Sequence, residues 1–327
     1  MPINEELKYS MKLRSLYYLY EKGMTQTEIA KRLNISRVTL SKWLEEAKAE
    51  NMIKFQIVDV KGELPLLHLE EEMKELFGLR DVKVINSENT DDSGTMWKLA
   101  AHSAPYFQQL IRSDMKIGLT WGRTLNAMIS ELPKSYDVRN LSVYTLVGSV
   151  SGSAAFQPNI LAQNLLNKFS GSLKIITAPF LCPTEQLCSD FRRMKEVAGI
   201  LDNAKYFDMT LVGIGEEPMD PDVALSDYPF DTAMIRDLIA HGAVGDICGN
   251  FFDIDGRLCD TAIKSRILSV DITELPKHKM VVGIGGGSRK VKSILGALRG
   301  GYLDILITDS QTAMAVVEME KQYRAKS

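Results

Sequence analysis

Three segments of the chain set glycines and hydroxyls directly after a stretch that reads as a β-strand, two of them beside a cation. Residues 117–125 carry Gly118, Thr120, Trp121, Gly122, Arg123 and Thr124. Residues 146–153 carry Gly148 among glycines and serines, and residues 282–290 carry Gly286, Gly287 and Lys290 at the start of a helix. Glycine leaves the backbone free to turn N–H groups toward an anion, hydroxyls add donors, and the next helix contributes its positive end. Each segment alone is also compatible with a tight strand-to-helix connection that binds nothing. Several such loops converging at strand ends suit a small phosphorylated or polyhydroxylated ligand.

A fourth segment, residues 242–256, supplies acid. Asp253, Ile254, Asp255 and Gly256 read as a turn between two strands. Asp246 lies between a glycine and an apolar run, which suits either a structural carboxylate or one that accepts sugar hydroxyls. The segment lacks the carboxylate density and closing Glu of a calcium loop. Gly283-x-Gly285 is a partial dinucleotide fingerprint, but Ser288 stands where the last glycine belongs, and no G-x-x-x-x-G-K-[ST] occurs. His68, His102, His241 and His278 are scattered, and none forms a metal-ligand spacing with another or with a cysteine. There is no G-x-S-x-G. The expectation is no metal, no cofactor and no catalytic residue.

Loops of this kind need strands and helices to hold them. Apolar β-type runs fall at residues 82–85, 116–119, 142–147, 174–177, 209–212, 280–284 and 305–308. Helical periods fall between them at 96–112, 125–132, 160–169, 187–196, 232–241 and 291–298, with a last one at 310–320. Continuous apolar strands alternating with helices predict a doubly wound α/β body with a mostly parallel sheet covered on both faces. A Glu-rich amphipathic helix at 66–77 precedes it. The predicted division is a DNA-binding domain at 1–58, a linker and connecting helix at 59–80, and an effector-binding domain at 81–327.

The first of these rests on a second constellation. Apolar residues from Met11 to Tyr20 recur at helical spacing, and Gly23 stops that helix. Thr25-Gln26-Thr27-Glu28 is a capping box opening a second helix, and Ser36 caps a third that runs through Val38, Leu40, Trp43 and Leu44 to about residue 48. This is a helix-turn-helix pattern: Ala30 permits a close crossing, and Ile29, Leu33, Ile35, Leu40 and Leu44 fill the wedge. Ser36, Arg37, Thr39, Ser41 and Lys42 remain on the outer face, types that bond base edges and phosphates in a major groove. Gln26 sits where a helix start meets a backbone phosphate. The β-prone residues 52–58 read as a strand or wing.

Charge agrees with that division. Residues 8–44 hold eight basic side chains against two acidic, whereas residues 61–327 hold 29 basic and 34 acidic. A basic head on an acidic body suits a module that meets a polyanion. With 327 residues, 45% of them hydrophobic, the chain has the mass of roughly two domains. No apolar run approaches the roughly 18 residues of a membrane span. The first ten residues are polar and acidic, so no secretory signal is expected. Cys182, Cys188, Cys248 and Cys259 read as reduced, buried thiols. Together these predict a cytoplasmic protein.

The order of these motifs resembles the SorC family of bacterial transcriptional regulators. The likeness is carried by the N-terminal helix-turn-helix, residues 118–124, residues 242–256, the run from Gly286 to Lys290, and Leu306-Ile307-Thr308-Asp309. It implies a regulator of a carbohydrate-catabolic operon, a repressor or an activator. The implied partners are double-stranded operator DNA and a phosphorylated sugar or polyol effector. The implied assembly is a tetramer built as a dimer of dimers, and the implied C-terminal fold is that of sugar-phosphate isomerases, deaminases and CoA transferases. By motif position the resemblance makes Arg123 and Thr124 a phosphate-binding pair, Lys290 a phosphate-neutralising lysine and Asp246 an acceptor of effector hydroxyls. It also places a Gln/Asn contact at Gln157 and Asn159. Gly148-Ser149 departs from the family's Gly-Gly. A sugar-phosphate isomerase or deaminase with an accessory DNA-binding module is the competing expectation; it would assign acid/base work to Asp246 and Lys290.

Overall fold

The computed structural model describes residues 5–55, 58–88, 90–150, 157–219, 229–277 and 279–326. It divides into two compact units, Met1–Gly62 and Glu63–Ser327.

In the first unit, helix α1 (Glu5–Leu16) runs on through one π-helical turn at Tyr17–Glu21, and α2 (Gln26–Leu33) and α3 (Arg37–Ala49) follow. Local side chains set their ends. The Thr25 hydroxyl accepts from the Glu28 N–H while the Glu28 carboxylate accepts from the Thr25 N–H at 2.8 Å, the reciprocal bonds of a capping box. Asn34, left-handed at φ +53°, ends α2, and Ser36 opens α3 by accepting from the Thr39 N–H at 3.0 Å. Ile29, Ala30, Leu40 and Leu44 pack with Leu16 and Ala47 as the core of the unit, and Trp43 is buried. Lys12 is buried too, neutralised by Glu46 and Glu50 at 2.8 and 2.6 Å, which ties α1 to α3.

Apolar spacing and burial part company at several positions here, and one expected strand is absent. Val38 on α3 is 80% exposed, because the buried side of that helix is set by Leu40, Trp43, Leu44 and Ala47. Leu13, Tyr17 and Tyr20 keep helical spacing but lie exposed, so the apolar period overstates the buried face of α1. Residues 52–55 form no strand; residues 56–57, within the same expected element, lie outside the described residues.

The second unit begins with α4 (Leu64–Phe77), the helix read as a connector. It packs here beside β1 (Asp81–Ile85): the Glu70 carboxylate accepts from the Val84 N–H at 2.8 Å and from the Lys83 ammonium at 3.1 Å. There follow α5 (Asp92–Leu110), β2 (Lys116–Leu119), α6 (Arg123–Glu131), β3 (Leu141–Thr145), α7 (Pro158–Leu166) and β4 (Gly171–Lys174). Next come α8 (Glu185–Arg193), α9 (Lys195–Asn203), β5 (Met209–Gly213), α10 (Thr232–Ala240), and a hairpin of β6 (Gly245–Ile247) and β7 (Asn250–Phe252). The last elements are β8 (Val281–Ile284), α11 (Val291–Arg299), β9 (Ile305–Asp309) and α12 (Ser310–Arg324).

Seven strands form one sheet in the order β1-β9-β8-β5-β2-β3-β4, every neighbouring pair parallel. Alternate residues feed opposite faces: Val212, Val281 and Leu306 join one apolar core, Leu211, Val282 and Ile305 the other. That two-sided burial is why these strands read as unbroken apolar runs. The chain winds outward from β2 to β3 and β4, then returns to β5 on the other side of β2. Crossovers diverge there, which opens a crevice at the carboxyl ends of β2 and β5.

The details depart from expectation in three places. The strand expected at 174–177 is Gly171–Lys174, the stretch in register with β3. The helix expected at 187–196 breaks at Met194, whose extended backbone separates α8 from α9. The strands β6 and β7 turn at Cys248 and Gly249, both at positive φ, while the predicted turn at 253–256 joins Phe252 to Leu258.

Candidate functional site

A cleft of about 350 Å³ lies at the carboxyl ends of β2, β5 and β8, closed on one side by the start of α5. Gly122, Arg123 and Thr124 enter it from the end of β2, Gly213, Ile214 and Glu216 from the end of β5, and Gly286, Gly287, Arg289 and Lys290 from the end of β8. A buried scaffold sets these loops. The Thr120 hydroxyl accepts from the Gly213 N–H at 3.0 Å and donates to the Trp121 carbonyl at 3.1 Å, pinning the ends of β2 and β5 together. The Asp309 carboxylate accepts from the Gly287 N–H at 2.8 Å, the Thr312 N–H at 3.0 Å and the Ser87 hydroxyl at 2.8 Å. Burial opposes its charge, but hydrogen bonds led by those from Thr312 hold the carboxyl below the usual carboxylate range. Gly287, at φ +98°, takes a backbone that a side chain would strain.

Three cations gather on one carboxylate inside this cleft. Arg123 and Arg289 reach Glu216 at 3.4 and 3.2 Å, and the Lys290 ammonium stands 3.9 Å from it. Lys290 also donates to the Ile214 carbonyl. Burial lowers its pKa, against the opposing pull of Glu216 and Asp246. Asp92 at the start of α5 accepts from the Ser288 N–H at 3.2 Å. The result is a half-enclosed cationic pocket with backbone amides and a helix start on its wall, an arrangement suited to holding an anion.

Six of the expected effector residues therefore meet: Gly122, Arg123, Thr124, Gly286, Gly287 and Lys290. The others lie outside the lining of this cleft. Gly118 is inside β2 against Phe207 and Leu146, Thr120 is the buried brace, and the Trp121 ring packs edge-on to Phe180 with centroids 4.4 Å apart. Gly148 donates its N–H to the Leu268 carbonyl at 2.9 Å; residues 151–153 of that loop lie outside the described residues. Gln157 precedes α7 and bonds the Val150 carbonyl through its amide, and Asn159 carries a buried Oδ1 with no hydrogen-bond partner among the described residues. Asp246 is buried in β6, accepts from the Gly249 N–H at 2.7 Å, and acts on Lys290 through space. Glu216 and Arg289 were absent from the expected site. The Gly213-Ile214-Gly215 loop after β5 repeats the strand-to-glycine design of the other three and was the available signal.

In the first unit, Arg37, Val38 and Lys42 are exposed along α3, with Ser36 at its cap. Two expected contacts are already engaged locally: the Ser36 and Thr39 hydroxyls lie 2.7 Å apart, and Ser36 also caps the helix. Ser41 and Gln26 are half-buried.

The same two-part organisation appears in known proteins. Residues 64–318 match the family described as "Putative sugar-binding domain", and residues 7–51 match a homeodomain-like domain. The chain belongs to the SorC family of transcriptional regulators. It is 28% identical over 315 residues to the sorbitol operon regulator of Klebsiella pneumoniae, covering 96% of this chain and 98% of that one. Identity to the deoxyribonucleoside regulator of Bacillus subtilis is 29% over 318 residues, with the same coverage. The crystal structure of the full-length Klebsiella pneumoniae sorbitol operon regulator SorC superposes with a TM-score of 0.72 at 26% identity, covering 94% of this chain and 98% of that chain. These relatives are named as regulators, and this SorC-family chain is a DNA-binding regulator rather than an enzyme. Among the described residues no cluster of three or more His, Cys, Asp or Glu could hold a metal ion, and no helix is long and apolar enough to cross a membrane.

Proposed function

We propose that this regulator controls a carbohydrate-catabolic operon in the cytoplasm and that its effector is a phosphorylated sugar or polyol bound in the β2–β5–β8 cleft. The carrying observation is the convergence of Arg123, Arg289 and Lys290 beside Gly286 and the start of α6. A phosphate group is the ligand part that uses three cations at once. Asp246, Gln157 and Asn159 lie outside the lining of this cleft; by their motif positions we assign them to the sugar end of the ligand, beyond its phosphate, and Asn159 brings an acceptor without a partner among the described residues. In the first unit α3 enters the major groove: Arg37 and Lys42 meet phosphates or guanine edges, Thr39 and Ser36 border the groove, Val38 offers methyls to a thymine methyl, and Gln26 meets the backbone. Assembly as a dimer of dimers would present pairs of such helices to successive grooves, about 34 Å apart. The division read from the sequence, a DNA-binding domain at 1–58, a linker and connecting helix at 59–80 and an effector domain at 81–327, belongs to the same reading. Effector binding changes operator affinity by its differential affinity for two arrangements of the assembly.

The test is a thermal-shift screen of phosphorylated and unphosphorylated sugars and polyols on the full chain, followed by a gel-shift titration with the stabilising compound. A ligand that binds only the folded protein raises the melting temperature. A phosphorylated compound should do so in the native protein and fail in Lys290→Ala, which still binds DNA. Stabilisation by unphosphorylated sugars alone, or an unchanged response in Lys290→Ala, would overturn the assignment.

A further inference from the structure

The cleft already holds an anion of its own. Glu216 lies within 3.9 Å of all three cations, is half-buried, and comes from a stretch after β5 with no regular secondary structure. That stretch is tied across the cleft mouth: Glu217 pairs with Lys292 at 3.0 Å, the Ile214 carbonyl accepts from Lys290, and the Gly215 N–H donates to the Asp246 carbonyl at 2.8 Å. The tether keeps the Glu216 carboxylate at very high effective concentration over the place where an external anion would sit.

We infer that Glu216 is an internal competitor that the effector's anionic group must displace, and that it thereby restricts the cleft to tetrahedral dianions such as phosphate monoesters. The inference rests on the anion-site reading above. A monocarboxylate brings one charge and two oxygens, the same as Glu216, and gains nothing to offset its loss of free movement on binding. A neutral sugar cannot replace the lost ion pairs. A phosphate monoester brings two charges and three free oxygens, enough to meet Arg123, Arg289 and Lys290 together. Selectivity of this kind comes from a built-in penalty on the wrong ligand rather than from added contacts to the right one. The penalty appears as a reduced apparent affinity, the intrinsic value divided by the fraction of molecules with the cleft open.

The experiment is calorimetric titration of the full-length protein with inorganic phosphate at pH 8 and, separately, with sodium acetate. The wild type should bind phosphate and not acetate. Glu216→Gln keeps the shape and removes the charge; it should bind phosphate about tenfold tighter, as expected when a closed fraction of roughly nine-tenths is abolished, and should acquire acetate binding. Glu216→Asp, one methylene shorter and so farther from the cations, should fall between, and it carries the test if the Gln variant does not fold. Equal or weaker phosphate binding in the variants, or acetate binding by the wild type, overturns the competitor role and leaves the anion site standing. A wild type that binds no phosphate, in a preparation with a normal melting transition, refutes the anion site itself and the competitor role with it.

Discussion

The DNA-reading face and the effector cleft both present cations, but they hold them in opposite states. Arg37 and Lys42 stand exposed on one helix with no carboxylate partner among the described residues. Arg123, Arg289 and Lys290 come from two separate loops and share Glu216; Lys290 is largely covered, while the two arginines keep about half of their side chains exposed at the cleft mouth. The first arrangement suits a polyanion that approaches from bulk water and releases counterions on binding. The second suits a small anion that must compete for a place. A surface can leave charge unpaired because water solvates it, whereas a cleft must neutralise what it encloses.

Perturbing one region at a time tests that contrast. The largest effect is expected in the cleft, from Gly286→Ala. A Cβ there would lie 2.3 Å from Asp309 Oδ2 and 2.7 Å from Leu99 Cδ1. The loop must shift or the protein loses about 1–3 kcal/mol, typical of overpacking. Chemical denaturation should show that loss in the second unit, together with lost stabilisation by a phosphorylated ligand. Unchanged stability would mean the Asp309 clamp is loose. Arg37→Ala comes next. It should weaken operator binding about tenfold, reduce the salt dependence by roughly one released ion, and leave the unfolding free energy within about 0.5 kcal/mol of the wild type. An unaltered gel shift would take α3 out of the groove.

The smallest effect concerns acid. Glu46 is held at a pKa of about 2, chiefly by its hydrogen bonds to Lys12 and then Lys8, against a usual value of 4.5. A depressed carboxylate stabilises the folded state fully above the unfolded pKa and loses that contribution as pH falls through the folded value. Helical signal from the first unit should therefore weaken between about pH 4.5 and 2. Glu46→Gln should flatten that part of the curve; an identical acid profile would show that the Lys12 bridges add nothing.

Local signals and distant assembly differ in how far they could be read. The capping box at Thr25, the Ser36 cap and the helix pair were legible because each involves residues within four positions of one another. Val38 is apolar and helical yet exposed, and its type alone could not tell that, because an apolar residue on a helix says nothing about which side the neighbours cover. The apolar strands were legible because both faces of the sheet are buried. β4, exposed at the sheet edge, has a weak pattern of Gly-Ser-Leu-Lys, and its position was missed by three residues. In the cleft, glycine loops pointed to Arg123 and Lys290, while Thr120 and Gly148 share that composition and serve as packing and hydrogen-bond braces.

What the amino-acid order alone determined is therefore what near neighbours along the chain decide: caps, helix faces, the strand–loop–helix alternation, and the family to which the succession of motifs belongs. Only the tertiary structure decided which loops share a cleft, that Thr120 looks inward, and that Glu216 lies among cations more than 70 residues away on either side. The reason is physical. A parallel sheet joins strands in an order unlike that of the chain, so the ends of β2, β5 and β8 become neighbours through crossovers that leave no local trace in any one segment.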